Sequence, residues 1–291
     1  MPRLFYCDHH AFPLPPGHKF PVEKYRLVRE TLAADGYYHL EPAPFADPAA
    51  IERVHDSGYV RAFLAGTLDA RILRQIGFPW SKQLVERTLA SVGGTLAASA
   101  DALATGFGGN LAGGTHHAFR DRGAGFCVFN DLAIAIRAIG HRAAVIDLDV
   151  HQGDGTAAIF ADDETVLTLS LHGAHNFPFH KQTSCIDLAL PDGTVDDEYL
   201  AHLRNVLPRV AEFRPEFLLY QSGVDALSGD RLGRLALSHA GLAERDRIVF
   251  SFAKRAGLPV VVTLGGGYAD PISRTAQAHV NTFRAAAEIL G

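Results

Sequence analysis

Five apolar, strand-length runs in this chain each pass directly into a polar, glycine-rich segment. Residues 110–112 lead to Gly113-Gly114-Thr115-His116-His117, and residues 143–146 to Asp147-Leu148-Asp149-Val150-His151-Gln152-Gly153-Asp154-Gly155. Residues 165–169 lead to Ser170-Leu171-His172, residues 217–220 to Gln221-Ser222-Gly223-Val224-Asp225, and residues 259–264 to Gly265-Gly266-Gly267-Tyr268. Stretches such as Ala143-Ala144-Val145-Ile146 and Val260-Val261-Val262 are apolar without alternation, the pattern of strands covered on both faces. Helical patterns over residues 83–105, 130–139, 196–213, 241–256 and 273–290 separate the runs. Gly140 and Gly257 stand where two of these helices should end. Thr194, with Asp197 three residues on, reads as a capping box that opens a third.

This alternation predicts an α/β fold, a three-layer α/β/α arrangement around a mostly parallel central sheet. A further strand is expected over residues 4–6, and loops with short helices over 13–80 on the periphery. No linker, repeat or low-complexity tract divides residues 1–291, so a single domain is expected. Ligands of open α/β sheets bind beyond the carboxyl ends of the strands. The five exits would therefore bring His, Asp and Tyr to one rim.

Composition narrows the partners. With 27 Lys+Arg against 32 Asp+Glu, the formal charge is -5, and no polybasic block is present. Neither nucleic acid nor an anionic membrane is expected as the main partner. Cys7, Cys127 and Cys185 are odd in number and widely spaced, which excludes a disulfide framework and fits the reducing cytoplasm. The first ten residues lack the apolar core of a signal peptide, and no apolar stretch is long enough to span a bilayer. The 15 histidines, several beside Asp and Gly, point towards metal or acid–base chemistry.

Asp147-x-Asp149-x-His151 has the strand period of two, which would turn all three side chains to one face. Two carboxylates and an imidazole together are costly without a cation. Asp149 and His151 suit zinc, and Asp225 is the best candidate for a third ligand. Three ligands with an open position is the arrangement of a catalytic zinc. His116 and His117 reach one site only if the backbone turns at Gly113-Gly114, and Asp147 and Asp154 are available to orient them. Tyr268, after three glycines, could donate a hydrogen bond to a carbonyl oxygen as charge develops there.

Six stretches, GGTHHAF at 113–119, GFCVFND at 125–131, IDLDVHQGDGT at 146–156, LSLH at 169–172, GVDALSGDRLG at 223–233 and LGGGY at 264–268, resemble the zinc-dependent histone deacetylase family, of arginase/deacetylase fold. His151-Gln152-Gly153-Asp154 replaces the His-His-Gly-Asp common in class I and II members, so the chain resembles class IV deacetylases and their bacterial relatives most. The resemblance implies one Zn2+ on Asp149, His151 and Asp225. It implies His117 as general base and acid, supported by Asp154, and His116, paired with Asp147, as electrostatic partner. Tyr268 would polarise the scissile carbonyl, the Gly125 carbonyl would accept the substrate amide hydrogen, and Phe126 and Phe177 would wall an acyl-lysine channel. K+ would sit beside the zinc strand at Asp147, Asp149, His151, Ser170 and Leu171, with a second cation near Phe160, Asp163 and Val166. The activity implied is removal of an acyl group from a lysine ε-amine of a protein or peptide, or from a polyamine or other small acylated amine.

Two other readings compete. Gly153-Asp154-Gly155-Thr156-Ala157-Ala158 fits the G-x-G-x-x-A of dinucleotide-binding folds, although the next strand ends in Ser170-Leu171-His172 and offers no acid for a ribose. A two-metal, arginase-type ureohydrolase would need a paired D-x-D late in the chain, which Asp225-Ala226-Leu227-Ser228-Gly229-Asp230 lacks.

Overall fold

A computed structural model describes residues 1–291. In chain order the elements are β1 (Arg3–Tyr6), α1 (Glu23–Asp35), β2 (His39–Pro42), α2 (Pro48–Ile51), α3 (Ser57–Ala65), α4 (Ala70–Ile76) and α5 (Lys82–Thr105). Then come β3 (Phe107–Asn110), α6 (Asp131–Ile139), β4 (Ala143–Asp147), α7 (Asp154–Ile159), β5 (Val166–Gly173) and β6 (Ile186–Leu190). The chain finishes with α8 (Asp196–Glu212), β7 (Phe217–Gln221), α9 (His239–Ala256), β8 (Val260–Thr263) and α10 (Ile272–Leu290). All eight strands form one parallel sheet in the order β2-β1-β3-β8-β7-β4-β5-β6, flanked by helices, the expected three-layer α/β fold. The central strands β4, β5, β7 and β8 are buried at every residue, which is why their sequences read as unbroken apolar runs.

The sheet order explains the clustering of polar exits. β3, β8, β7, β4 and β5 are consecutive neighbours, and being parallel they end on the same side. Asp147 pairs with Ser170 on one flank and Gln221 on the other, while Gln221 pairs with Thr263. The loops after these strands therefore meet.

Several expectations need correction. The strand placed at 110–112 is Phe107–Asn110. Its Gly108 disguises it, and the helix α5 requires that glycine, because a Cβ there would lie 1.9 Å from the Ala98 carbonyl oxygen. β4 ends at Asp147, so the two-residue alternation does not extend through Asp149 and His151, which lie in bends beyond it. Thr194 caps nothing: its hydroxyl bonds the Pro191 carbonyl, and α8 starts without a side-chain cap. Asp196 at that end instead accepts from the Ser238 backbone and hydroxyl. Gly140 and Gly257 do close α6 and α9 in the left-handed conformation. Residues 13–80 hold more than short helices, with the 13-residue α1 and the edge strand β2. No helix is long and apolar enough to cross a membrane.

Candidate active site

The turn at Gly113-Gly114, with φ of 76° and 74°, brings both histidines into one buried place, their ring centroids 4.1 Å apart. The Asp131 carboxylate pins that turn, accepting from the Gly114 N–H at 3.1 Å and from the Thr115 N–H at 2.7 Å. Each histidine has its own acid: His116 Nδ1 lies 2.7 Å from Asp147 Oδ2, and His117 Nδ1 lies 2.6 Å from Asp154 Oδ1. Burial opposes a charge on His116, but Asp147 and Asp149 outweigh it and lift the ring to about 9. For His117, burial and then the neighbouring His116 push the ring down to about 4. The two adjacent imidazoles are thus pushed in opposite directions, His116 towards its charged form and His117 towards its neutral one.

Beside them Asp149, His151 and Asp225 offer ligand atoms within 4.8 Å of one another, all buried. No other group of His, Cys, Asp or Glu in the chain does so, and there is no second cluster for a bridging pair of metals. His151 Nδ1 lies 2.9 Å from Asp149 Oδ1 and 3.1 Å from Asp225 Oδ2. Asp225 Oδ2 is fully buried yet accepts no well-formed hydrogen bond. Burial, followed by the charge of Asp149, drives the Asp225 carboxyl well above its usual range. An orphaned carboxylate oxygen facing a second carboxylate and an imidazole fits a bound cation, and the O/N donor set fits a transition metal.

One cavity of about 460 Å³ opens onto these groups. His116, His117, Asp149, His151, Tyr268, Gly125, Phe126 and Phe177 all line it; Asp225 lies just behind it, and Asp147 and Asp154 behind the histidines. Phe177 stands edge-on to His117 at 4.9 Å. Phe126 adopts φ 66°, rare for a non-glycine, and is held there by its N–H bond to the Ile76 carbonyl and by packing on Phe20 and Phe78. Burial, then Asp225 and Asp149, raise the Tyr268 phenol well above its ordinary range, so its proton stays in place.

Ser170 and Leu171 lie on β5 alongside Asp147, with Ser170 Oγ 3.0 Å from His172 Nδ1. Near Phe160 and Val166, Asp163 carries the Arg137 guanidinium at 2.5 Å. In the GDGTAA segment Asp154 serves His117, and a Cβ on Gly153 would lie 2.3 Å from Asp147 Oδ2. The place a pyrophosphate would need is filled by acids.

Sequence reading missed four supporting residues. Gln221 Nε2 donates to Asp149 Oδ2 at 3.1 Å. Asp230 Oδ2 accepts the Tyr268 N–H at 2.6 Å and so aims the tyrosine loop; it lies inside the GVDALSGDRLG stretch, where it could have been found. Arg245, fully buried on α9, braces both ligand loops through the carbonyls of Leu148, Ser222 and Gly223. Lys24 of α1, also fully buried, donates to the Gly265 carbonyl at 2.9 Å and lies 5.4 Å from the Tyr268 ring centre. Burial lowers its ammonium to about 8, against the pull of Asp225 and Asp149.

A family model described as histone deacetylase domain matches residues 18–283. The chain is 45% identical to an uncharacterized protein of Picosynechococcus sp., over 99% of each. It is 32% identical to Histone deacetylase 2 of Arabidopsis thaliana, over 88% of this chain and 71% of that one. Among solved structures it superposes on an acetylpolyamine aminohydrolase from Burkholderia pseudomallei with a TM-score of 0.82 at 20% identity, covering 98% of both chains. The HD domain of HDA15 gives 0.80 at 21% identity, covering 99% of this chain and 91% of that one. Those two likenesses speak for the fold; the domain match and the Arabidopsis relative go further, and by them the chain belongs to the histone deacetylase family, as an amide hydrolase of the deacetylase type.

Proposed function

We propose that this protein is a zinc-dependent lysine deacylase, with residues 1–291 as one catalytic domain. The observation that carries the reading is the convergence, on one cavity, of a three-ligand cluster, two histidine–aspartate pairs whose imidazoles are pushed in opposite directions, and a protonated tyrosine. Asp149, His151 and Asp225 would hold the ion, and zinc bound there would polarise the acyl carbonyl and activate water. His117, neutral and oriented by Asp154, takes a proton from the attacking water and returns it to the departing amine. His116, kept positive by Asp147, steadies negative charge beside it. Tyr268 donates its phenol hydrogen to the carbonyl oxygen as charge builds there. The Gly125 carbonyl accepts the substrate N–H, and Phe126 and Phe177 flank the apolar stem of the lysine.

Lysine is favoured over a polyamine by the walls. Asp149 is the sole carboxylate lining the cavity, whereas Arg87 and Arg234 both line it. The remaining ammonium groups of a polyamine would meet no acid there. Potassium at Asp147, Ser170 and Leu171 is supported by the adjacency of β4 and β5. Three free cysteines, two of them buried, support a reducing cytoplasmic setting. The test is a panel of acetyl-lysine peptides and acetylpolyamines, assayed with zinc-loaded and chelator-stripped protein. Zinc-dependent cleavage of the peptides, faster than of the polyamines, is expected; faster polyamine cleavage would reverse the substrate assignment.

A further inference from the structure

The cavity does not stop at the histidines. It is also lined by Tyr25 of α1 and by Arg87, Thr88 and Ser91 of α5. Ser91 sits against the histidine turn, its hydroxyl accepting the Gly113 N–H at 3.1 Å. Arg87 lies one helical turn further, about 6 Å along the axis. It is only 9% exposed, and its guanidinium rests on the Tyr25 ring at 4.4 Å. No carboxylate pairs with it. The adjacent Glu86 is half-exposed and faces His10 at 4.0 Å, and Asp149, the one acid in the cavity wall, belongs to the metal cluster.

A buried guanidinium without a counter-ion is costly, and its planar fork of donors matches a carboxylate at two points. The Thr88 and Ser91 hydroxyls add neutral polar groups to the same chamber, while burial keeps the Tyr25 phenol protonated. A purely aliphatic chain would leave the arginine unpaired and desolvated; a chain with a terminal acid would complete it.

We propose that this inner chamber receives acyl chains ending in a carboxylate, so that the preferred substrates are lysine amides of dicarboxylic acids, held by Arg87. The assignment rests on the amide-hydrolase reading above. Water's oxygen joins the acyl carbon, the C–N bond breaks, and the nitrogen leaves as the amine carrying the transferred proton; the products are a free dicarboxylate and lysine.

The test compares lysine peptides bearing succinyl or glutaryl groups with butyryl and pentanoyl peptides of matching length, with acetyl peptide as reference. In the wild type, kcat/KM for glutaryl should exceed that for pentanoyl by about tenfold or more. Arg87→Met should bring the ratio below one, and Arg87→Lys should restore part of it. In a second measurement on metal-stripped protein, glutarate but not pentanoate should raise the melting temperature, and Arg87→Met should abolish the shift. Acetyl cleavage combined with a carboxyacyl-to-neutral ratio below one in the wild type would overturn the proposal. So would an Arg87→Met variant that slows acetyl and glutaryl peptides alike, since the arginine would then serve departure of the carboxylate product and not choice of acyl group. If no peptide is cleaved, acetyl included, the hydrolase reading fails, and the glutarate melting shift still reports on Arg87 separately.

Discussion

Gly266 lies against both carboxylates of the ligand cluster. A Cβ built on it would stand 1.9 Å from Asp225 Oδ2 and 2.7 Å from Asp149 Oδ2. Its φ lies outside the left-handed region, so alanine fits the backbone and the substitution adds only a methyl group. Both carboxylates are anchored, Asp225 through its other oxygen. The Val150 N–H holds Asp225 Oδ1 at 2.9 Å, and Asp149 is held by the His151 N–H at 3.0 Å and by Gln221 at 3.1 Å. To reach ordinary contact, Asp225 Oδ2 must move by about 1.5 Å, far beyond the ~0.2 Å within which ligand distances are kept. Gly266→Ala should therefore lower zinc affinity by roughly 100-fold, the upper end of what supporting residues contribute, and destabilise the fold by about 1–3 kcal/mol through overpacking. Titration of metal-stripped protein against a chromophoric chelator, with circular dichroism to confirm folding, reads both. A folded variant that binds zinc as tightly as the wild type would refute the placement of the ion between these carboxylates.

Two further outcomes are expected. Tyr268→Phe should retain stoichiometric zinc while kcat falls by roughly 10²–10³; near-normal turnover would remove the phenol from the mechanism. His55 is buried between the Phe119 carbonyl at 2.8 Å and the Asn130 N–H at 2.9 Å, and burial lowers its ring to about 4. With an unfolded value near 6.5, its folded pKa is depressed, so its contribution is present above pH 6.5 and is lost as pH falls towards 4. Urea unfolding should show the wild type losing about 3 kcal/mol more than His55→Gln between pH 7 and pH 4, and equal losses would contradict a neutral buried His55.

Why some features were readable and others not has a physical basis. The ligands and acid–base groups sit in short loops directly after apolar strands, so their chemistry is local in sequence even though Asp225 arrives from a different strand than Asp149 and His151. β3 was misplaced because its glycines answer to close packing, Gly108 against α5 and Gly109 against Leu4 and Phe283, and not to strand propensity. β2 and β6 are edge strands with mixed burial, His39–Pro42 and Ile186–Leu190, and carry neither an apolar run nor clean alternation. Lys24, Arg87 and Arg245 lie on helices, where a long cationic side chain ordinarily reads as solvated. Only the tertiary packing of α1, α5 and α9 against the strand-exit loops turns those charges inward, and no spacing within a helix records that. Tyr268 was legible, whereas Asp230, which aims it, acts through a backbone N–H 38 residues away.

The most direct test of the central claim is to measure bound metal and acyl-lysine hydrolysis on the same preparation as a chelator removes the ion and zinc is returned. The account predicts one zinc per chain, activity that falls in proportion to zinc lost and returns with it, and neither zinc nor activity in Asp225→Ala. Hydrolysis that persists at full rate in metal-free protein, or an Asp225→Ala variant with unchanged zinc content, would contradict it.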